Sequence, residues 1–184
     1  KEISKITPEL KASGKAEVAL SFSGKLDKNL QPTNIIGNTQ VNLEEFSAQL
    51  EESNIRIDNL NSTVQFPLVY EMEQGVKIST LDINTNLKKI SALKNWNLND
   101  FSTSSHLTLD TFYNLKPDFG TLPIKLDSQI KFGNLDSAQT ELSLTDFNIN
   151  THLKGDLRSD DFRNGQLDGE IAFKNIKGIE KLQM

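Results

Sequence analysis

The residues of this chain that could perform chemistry are few and poorly grouped. The chain holds two histidines and no cysteine, so thiolate nucleophiles, disulfides and cysteine-held metals are excluded together. His106 and His152 adjoin Leu107 and Leu153. On strands whose side chains alternate between faces, both imidazoles then point away from the apolar side. No His-x-x-x-His or similar spacing converges on a metal. Carboxylates are plentiful, yet none sits in a signature for paired acid–base hydrolysis. Asp82-Ile83-Asn84-Thr85-Asn86 resembles the opening of a calcium loop, but it lacks the glycine and the closing glutamate such a loop needs. On a strand, Asp82, Asn84 and Asn86 simply form a polar face. Ser159-Asp160-Asp161-Phe162-Arg163-Asn164-Gly165 reads as a hairpin turn in which Asn-Gly supplies the positive φ angles. Asn61-Ser62-Thr63 fits a glycosylation acceptor, a match expected by chance in a chain rich in Asn and Thr. The sequence therefore reads as noncatalytic, with no metal and no cofactor.

What must position these side chains is a set of bent strands. A unit of leucine, two mostly polar residues and phenylalanine recurs as Leu43-Glu44-Glu45-Phe46, Leu98-Asn99-Asp100-Phe101, Leu109-Asp110-Thr111-Phe112 and Leu144-Thr145-Asp146-Phe147. Before Phe147 the apolar positions Leu142 and Leu144 are even-numbered. After it, Phe147, Ile149, Leu153 and Leu157 are odd-numbered. Such a run keeps one facing only if the strand accommodates an extra residue, as a β-bulge does. Val41 and Leu43 give way to Phe46, Ala48 and Leu50 in the same manner.

Alternation elsewhere marks further strands. Ala16, Val18, Leu20, Phe22 and Leu26 form one, with Gly24 in register. A turn around Gln31-Pro32-Thr33-Asn34 leads to the bent strand from Ile36 to Leu50. Ile55 and Ile57 are expected to be separated by Asn59-Leu60-Asn61 from Val64, Phe66, Leu68 and Tyr70. Glu73-Gln74-Gly75 is a turn before Val76 and Ile78, and Leu81 to Leu87 follow. Leu107 and Leu109, then Leu122 to Phe132, then Leu142 to Leu157, then Leu167 to Phe173 complete roughly ten strands. Leu87, Ile90, Leu93 and Lys94, leading into Trp96, have the spacing of a short surface helix or loop. Residues 1–13 read as a short helix or linker, with Pro8 in its first turn.

The fold class is thus all-β: a long, bent, mainly antiparallel sheet forming an open groove, with at most short helices, in a single segment spanning 1–184. Apolar residues are only 36% of the chain, which suits a sheet that is oily on one side. A net charge of −5 offers no basic stripe for a phosphate backbone, so nucleic acid is not an expected partner. The first residue, Lys1, reads as the start of a piece cut from a longer protein whose anchoring parts lie elsewhere. Unpaired ends of such a sheet invite edge-to-edge self-association.

Alternating strands with Gly24-Lys25-Leu26 and Gly155-Asp156-Leu157 steps, the Leu-x-x-Phe corner, and Gln166-Leu167-Asp168-Gly169-Glu170-Ile171 resemble the repeating segments of the AsmA-like family over Gly14 to Gly178. The resemblance implies a β-groove in the periplasm, part of an inner-membrane-anchored protein of the bacterial envelope, that passes phospholipid between membranes. Membrane contact would then be made by parts outside this chain. Physics alone makes a compatible suggestion, since a wall of Leu, Ile, Val and Phe stabilises acyl chains without specific polar contacts. The residues expected to line that wall are Leu20, Phe22, Leu43, Phe46, Phe66, Leu109, Leu126, Phe132, Leu144, Phe147, Ile149, Ile171 and Phe173. Two other readings stay open: the same residues could close a dry β-sandwich, and the chain could be an adhesion or carbohydrate-binding module at a cell surface.

Overall fold

The computed structural model describes residues 10–51, 54–73, 75–92, 95–109, 122–139, 141–157 and 162–178. They form ten strands: β1 (Leu10–Leu26), β2 (Pro32–Leu50), β3 (Ile55–Glu71), β4 (Gly75–Ile78), β5 (Thr80–Ala92), β6 (Trp96–Leu109), β7 (Leu122–Ser137), β8 (Leu142–Leu157), β9 (Phe162–Ala172) and β10 (Asn175–Lys177). Every neighbouring pair is antiparallel. All ten belong to one sheet, ordered β1-β2-β3-β5-β6-β7-β8, with β4 extending the β5 lane beside β3 and with β9 and β10 sharing the lane beside β8. The sheet is not closed: among the described residues β1 pairs only with β2, and β9 only with β8.

The face switch anticipated from Leu-x-x-Phe is built from left-handed backbone. Glu45, Asp100 and Asp146, each just before the motif's phenylalanine, have φ of 49°, 54° and 51°. Asn59, just before Leu60, has φ of 53°. Asp and Asn tolerate this region because their short side chains bond to nearby backbone. One left-handed residue rotates the strand so that Leu144 and Phe147, three apart, lie on one face. β5 makes the same switch between Leu87 and Ile90, and β7 between Phe132 and Leu135, where Gly133 leaves room for Asp100: a Cβ there would lie 3.2 Å from Asp100 Oδ2. From β3 to β8 the pairing resumes in unchanged register on both sides of the switch. The bends therefore line up across the sheet. Only the β2 pairings with β1 and β3 slip by one residue there. Side chains satisfy backbone groups freed at the bend: Glu45 N–H donates to Asn61 Oδ1 at 2.9 Å, and Asn59 N–H donates to Ser47 Oγ at 3.1 Å.

Several sequence expectations are corrected by this arrangement. Leu87 to Ala92 is strand, and the spacing of Leu87 and Ile90 that mimics a helix is the mark of the bend; residues 93–94 lie outside the described residues. Leu10–Ser13 begins β1, while 1–9 are outside the described residues. Asn59-Leu60-Asn61 does not separate two strands, because the left-handed Asn59 lets β3 run through. The first turn is Asp27–Gln31, organised by Asp27 Oδ1, which accepts from the N–H groups of Asn29 and Gln31; Pro32 already belongs to β2. Asn164, with φ of 51°, sits inside β9 beside a register shift, so Asn164-Gly165 forms a bulge rather than a turn. Its role is to admit a ring, since a Cβ on Gly165 or Gly155 would lie 2.4 or 2.3 Å from Phe162.

No second sheet packs on the first among the described residues. Only Leu87, Leu122 and Ser137 are buried, at 5, 2 and 2% exposure. The sealed sandwich left open by the sequence is therefore not the architecture here.

If the left-handed geometry sets the bend, Asp146→Val destabilises the protein by about 1–2 kcal/mol, because a β-branched residue resists positive φ. Asp146→Gly should be neutral or mildly stabilising, and Lys154→Val, exposed on the same strand, should cost little. Urea unfolding midpoints of the three variants check this.

Candidate functional site

The bend places an almost continuous apolar surface on one face. Register gives it rows that run across the strands. Phe46 pairs with Leu60, Leu60 with Leu87 and Leu87 with Phe101. Phe132 and Phe147 continue this band, their rings stacked with centroids 4.5 Å apart and planes inclined by 16°. Leu87 is buried, at 5% exposure, with Leu60 and Phe101 flanking it in the row. On the Leu98 and Leu144 side of the bend, Ala48, Ile57, Ile90, Leu98, Leu135 and Leu144 form a parallel row. Farther along the strands, Leu81, Leu107, Leu126, Leu153 and Leu167 form another.

By register, all the expected wall residues except Phe173, which lies just past the end of β9, share this face. Leu43, Phe46, Phe66, Leu109, Leu126, Phe132, Leu144, Phe147 and Ile149 are half-buried on the inner strands. Leu20, Phe22, Ile171 and Phe173 stand at the two ends of the sheet and are 67, 81, 63 and 51% exposed. Reading the sequence missed Leu60, Leu87, Ile90, Leu98 and Leu135 as wall residues. Their signal was present as the three-residue step across each bend: Ile57 to Leu60, Leu87 to Ile90, Leu98 to Phe101, Phe132 to Leu135. The unit at Leu109 is described only at its first residue.

A belt of hydroxyls crosses the apolar face. Ser62, Thr85 and Thr103 occupy one row on β3, β5 and β6, and Ser105, Ser128 and Thr151 the adjacent inward row on β6, β7 and β8. Ser62 Oγ and Thr85 Oγ1 share a hydrogen bond of 2.8 Å, as do Ser105 Oγ and Ser128 Oγ. Each such pair consumes one O–H and leaves the other with donor capacity. Beside the belt the surface stays apolar through Val18, Val41, Val64 and Ile83 on one side and Ile130, Ile149 and Ile171 on the other.

The opposite face is polar. Its most ordered feature is a row that alternates acid and imidazole over five strands, Asp82, His106, Asp127, His152 and Asp168. Asp82 Oδ1 meets His106 Nδ1 at 2.6 Å, Asp127 Oδ1 meets His152 Nδ1, and Thr108 Oγ1 lies 3.3 Å from His106 Nε2. His106, Asp127, His152 and Asp168 of the row, with Ser104, Gln129 and Asn150, line a shallow recess of about 650 Å³. Asp82, His106 and Thr108 thereby share the connectivity of a nucleophile relay. Thr108, however, lies within a strand paired on both sides, with Thr80 and Lys125. Its place inside the ladder makes it part of the regular strand backbone rather than of a loop or helix start that presents oxyanion donors. Among the described residues no group of three or more His, Asp or Glu is placed to hold a metal ion. As alternation requires, the two histidines and Asp82 lie on the polar side.

Comparison of this chain with protein families, curated proteins and solved structures finds no match. Fold and face are thus read from the molecule itself.

An uncovered wall should react where a core would not. In this cysteine-free chain, Leu126→Cys and Ile149→Cys should react with a maleimide in the native state at rates comparable to the urea-unfolded chain, whereas Leu87→Cys reacts far more slowly.

Proposed function

We propose that this chain is a noncatalytic groove segment that shelters or conducts the acyl chains of phospholipid. The observation behind this reading is a single-layer sheet whose bent apolar face, among the described residues, has no second layer packed over it. Monomeric proteins rarely leave so large a contiguous apolar surface to water, and those that do present it to a ligand, a partner or a membrane. Seven lane spacings of about 4.8 Å make the face roughly 34 Å across the strands, near the hydrocarbon thickness of a bilayer at about 30 Å. Each methylene moved from water onto it gains about 0.8 kcal/mol. The wall needs no polar contact to hold such a chain, which suits passage better than tight capture. The hydroxyl belt adds spare donors within an otherwise oily surface, a place for ester carbonyls at the junction of tail and headgroup.

The resemblance of the Gly-x-Leu steps and Leu-x-x-Phe corners to AsmA-like segments supports the same reading. It implies a periplasmic setting within an inner-membrane-anchored envelope protein. The cell-surface carbohydrate module fits less well, since the polar recess is lined by Ser, His, Asp, Gln, Asn, Thr, Gly and Glu with no aromatic ring on which a sugar could stack.

Mass spectrometry of organic extracts from the purified chain should find co-purifying phospholipid. The double variant Leu126→Asp/Ile149→Asp, which puts two charges on the wall, should lose most of it, and His106→Ala on the polar face should keep it. Repeated absence of phospholipid from the unaltered protein would contradict the proposal.

A further inference from the structure

Among the described residues, both lateral edges of the sheet are unpaired over a matching stretch. Between Lys15 and Ser21 on β1, and between Gln166 and Ala172 on β9, there is no proline and no register shift. Proline, a bulge or a covering element commonly blunts an exposed edge; of the usual means only charged side chains are present here among the described residues, Lys15 and Glu17 on β1 and Asp168 and Glu170 on β9. The register shifts next to these stretches lie just outside them, at Ser13–Lys15 of β1 and at Arg163–Gln166 of β9, opposite Lys154–Asp156 of β8. Within them the inward side chains Val18, Leu20, Leu167 and Ile171 are 63, 67, 68 and 63% exposed.

The two edges are also complementary. Successive antiparallel steps from β1 to β9 leave these strands pointing in opposite directions. A β1 laid beside β9 in the same plane, at the orientation of another copy of the sheet, therefore pairs antiparallel. Two inward rows run unbroken from Ala16 to Ile171 and from Val18 to Gly169. Continuing them into a second copy sets Ile171 against Ala16, Gly169 against Val18 and Leu167 against Leu20. A large side chain then meets a small one at the first two positions. The same register brings the chain break between β9 and β10, at Phe173–Lys174, next to the bend of β1 at Gly14, so the bend line also continues.

We infer that the protein associates head to tail, β9 of one copy adding to β1 of the next, to extend the same apolar groove from copy to copy. The interface is heterologous, so it repeats rather than stopping at a symmetric dimer. One pairing opposes it. Glu170 falls opposite Glu17, and like charges directly across strands repel. Lys15, bonded to Glu17 at 2.5 Å and lying 3.5 Å from Glu44, stands diagonal to Glu170 and offsets part of that repulsion. The inference concerns the backbone edges and holds whatever fills the groove.

The test uses the whole chain, which has no native thiol to interfere. Ala19→Cys and Asp168→Cys lie opposite each other in the inferred register. An equimolar mixture under mild oxidation should give mainly the mixed Ala19→Cys to Asp168→Cys cross-link. Sedimentation of the unaltered protein should show mass rising with concentration beyond a dimer, and Glu17→Gln should shift that rise to concentrations about two- to five-fold lower. A monomer at every concentration, mainly Ala19→Cys to Ala19→Cys cross-links, or a Glu17→Gln variant that associates no better would each overturn the inference.

Discussion

The alternation of side chains across a strand is the constraint on which this molecule depends. A strand of fifteen or more residues that bends sharply would ordinarily send its second half's apolar residues to the wrong face. Here Glu45, Asn59, Asp100 and Asp146 enter the left-handed region and skip one position in the alternation. Because β3, β5, β6, β7 and β8 all skip at the same level, their ladders keep their register. The strain is local and repeated, and the freed N–H groups of Glu45 and Asn59 are met by Asn61 and Ser47. The result is one fold line across the sheet, with Phe46, Leu60, Leu87, Phe101, Phe132 and Phe147 beside it.

A single layer also fixes how the protein is held together. With Leu87 and Leu122 as its buried apolar residues among those described, little stabilisation comes from a closed core. The ladders and the side-chain pairs across them take a larger share than in a two-layer domain. On the inner face these pairs are aliphatic and aromatic, apart from the belt of Ser and Thr hydroxyls; on the outer face they are Asp with His, Asn with Ser and Gln with Asn. The polar rows therefore need no catalytic or metal-binding purpose to account for their order. The inner rows are different, since among the described residues no second layer covers their apolar surface.

Much of this is legible in the residues. The parity change around the Leu43 and Leu144 units gives both the bend and the facing of Leu43, Phe46, Leu144 and Phe147, and the strand residues named from alternation share one face by register. The same bend misleads where the motif is incomplete. Leu87 and Ile90 carry the three-residue step without a phenylalanine, and that step is also the step of a helix. Asn59 and Asn164 look like turn residues because turns and bulges both call for positive φ. The hydroxyl belt and the Asp–His row are not visible along the chain at all. Their members lie on successive strands, far apart in sequence, and only the register set by the turns and bulges brings them into line.

The central claim is that one sheet keeps its apolar face continuous through a bend and open to guests. Scanning nitroxide labels one residue at a time along β8, from Leu142 to Asp156, and measuring their collisions with dissolved oxygen and with a polar relaxant tests it most directly. The expected pattern alternates with period two, inverts its phase at Asp146, and leaves the inward sites accessible to oxygen. An alternation that runs through Asp146 without inverting, or inward sites shielded from both reagents as in a closed core, would contradict it.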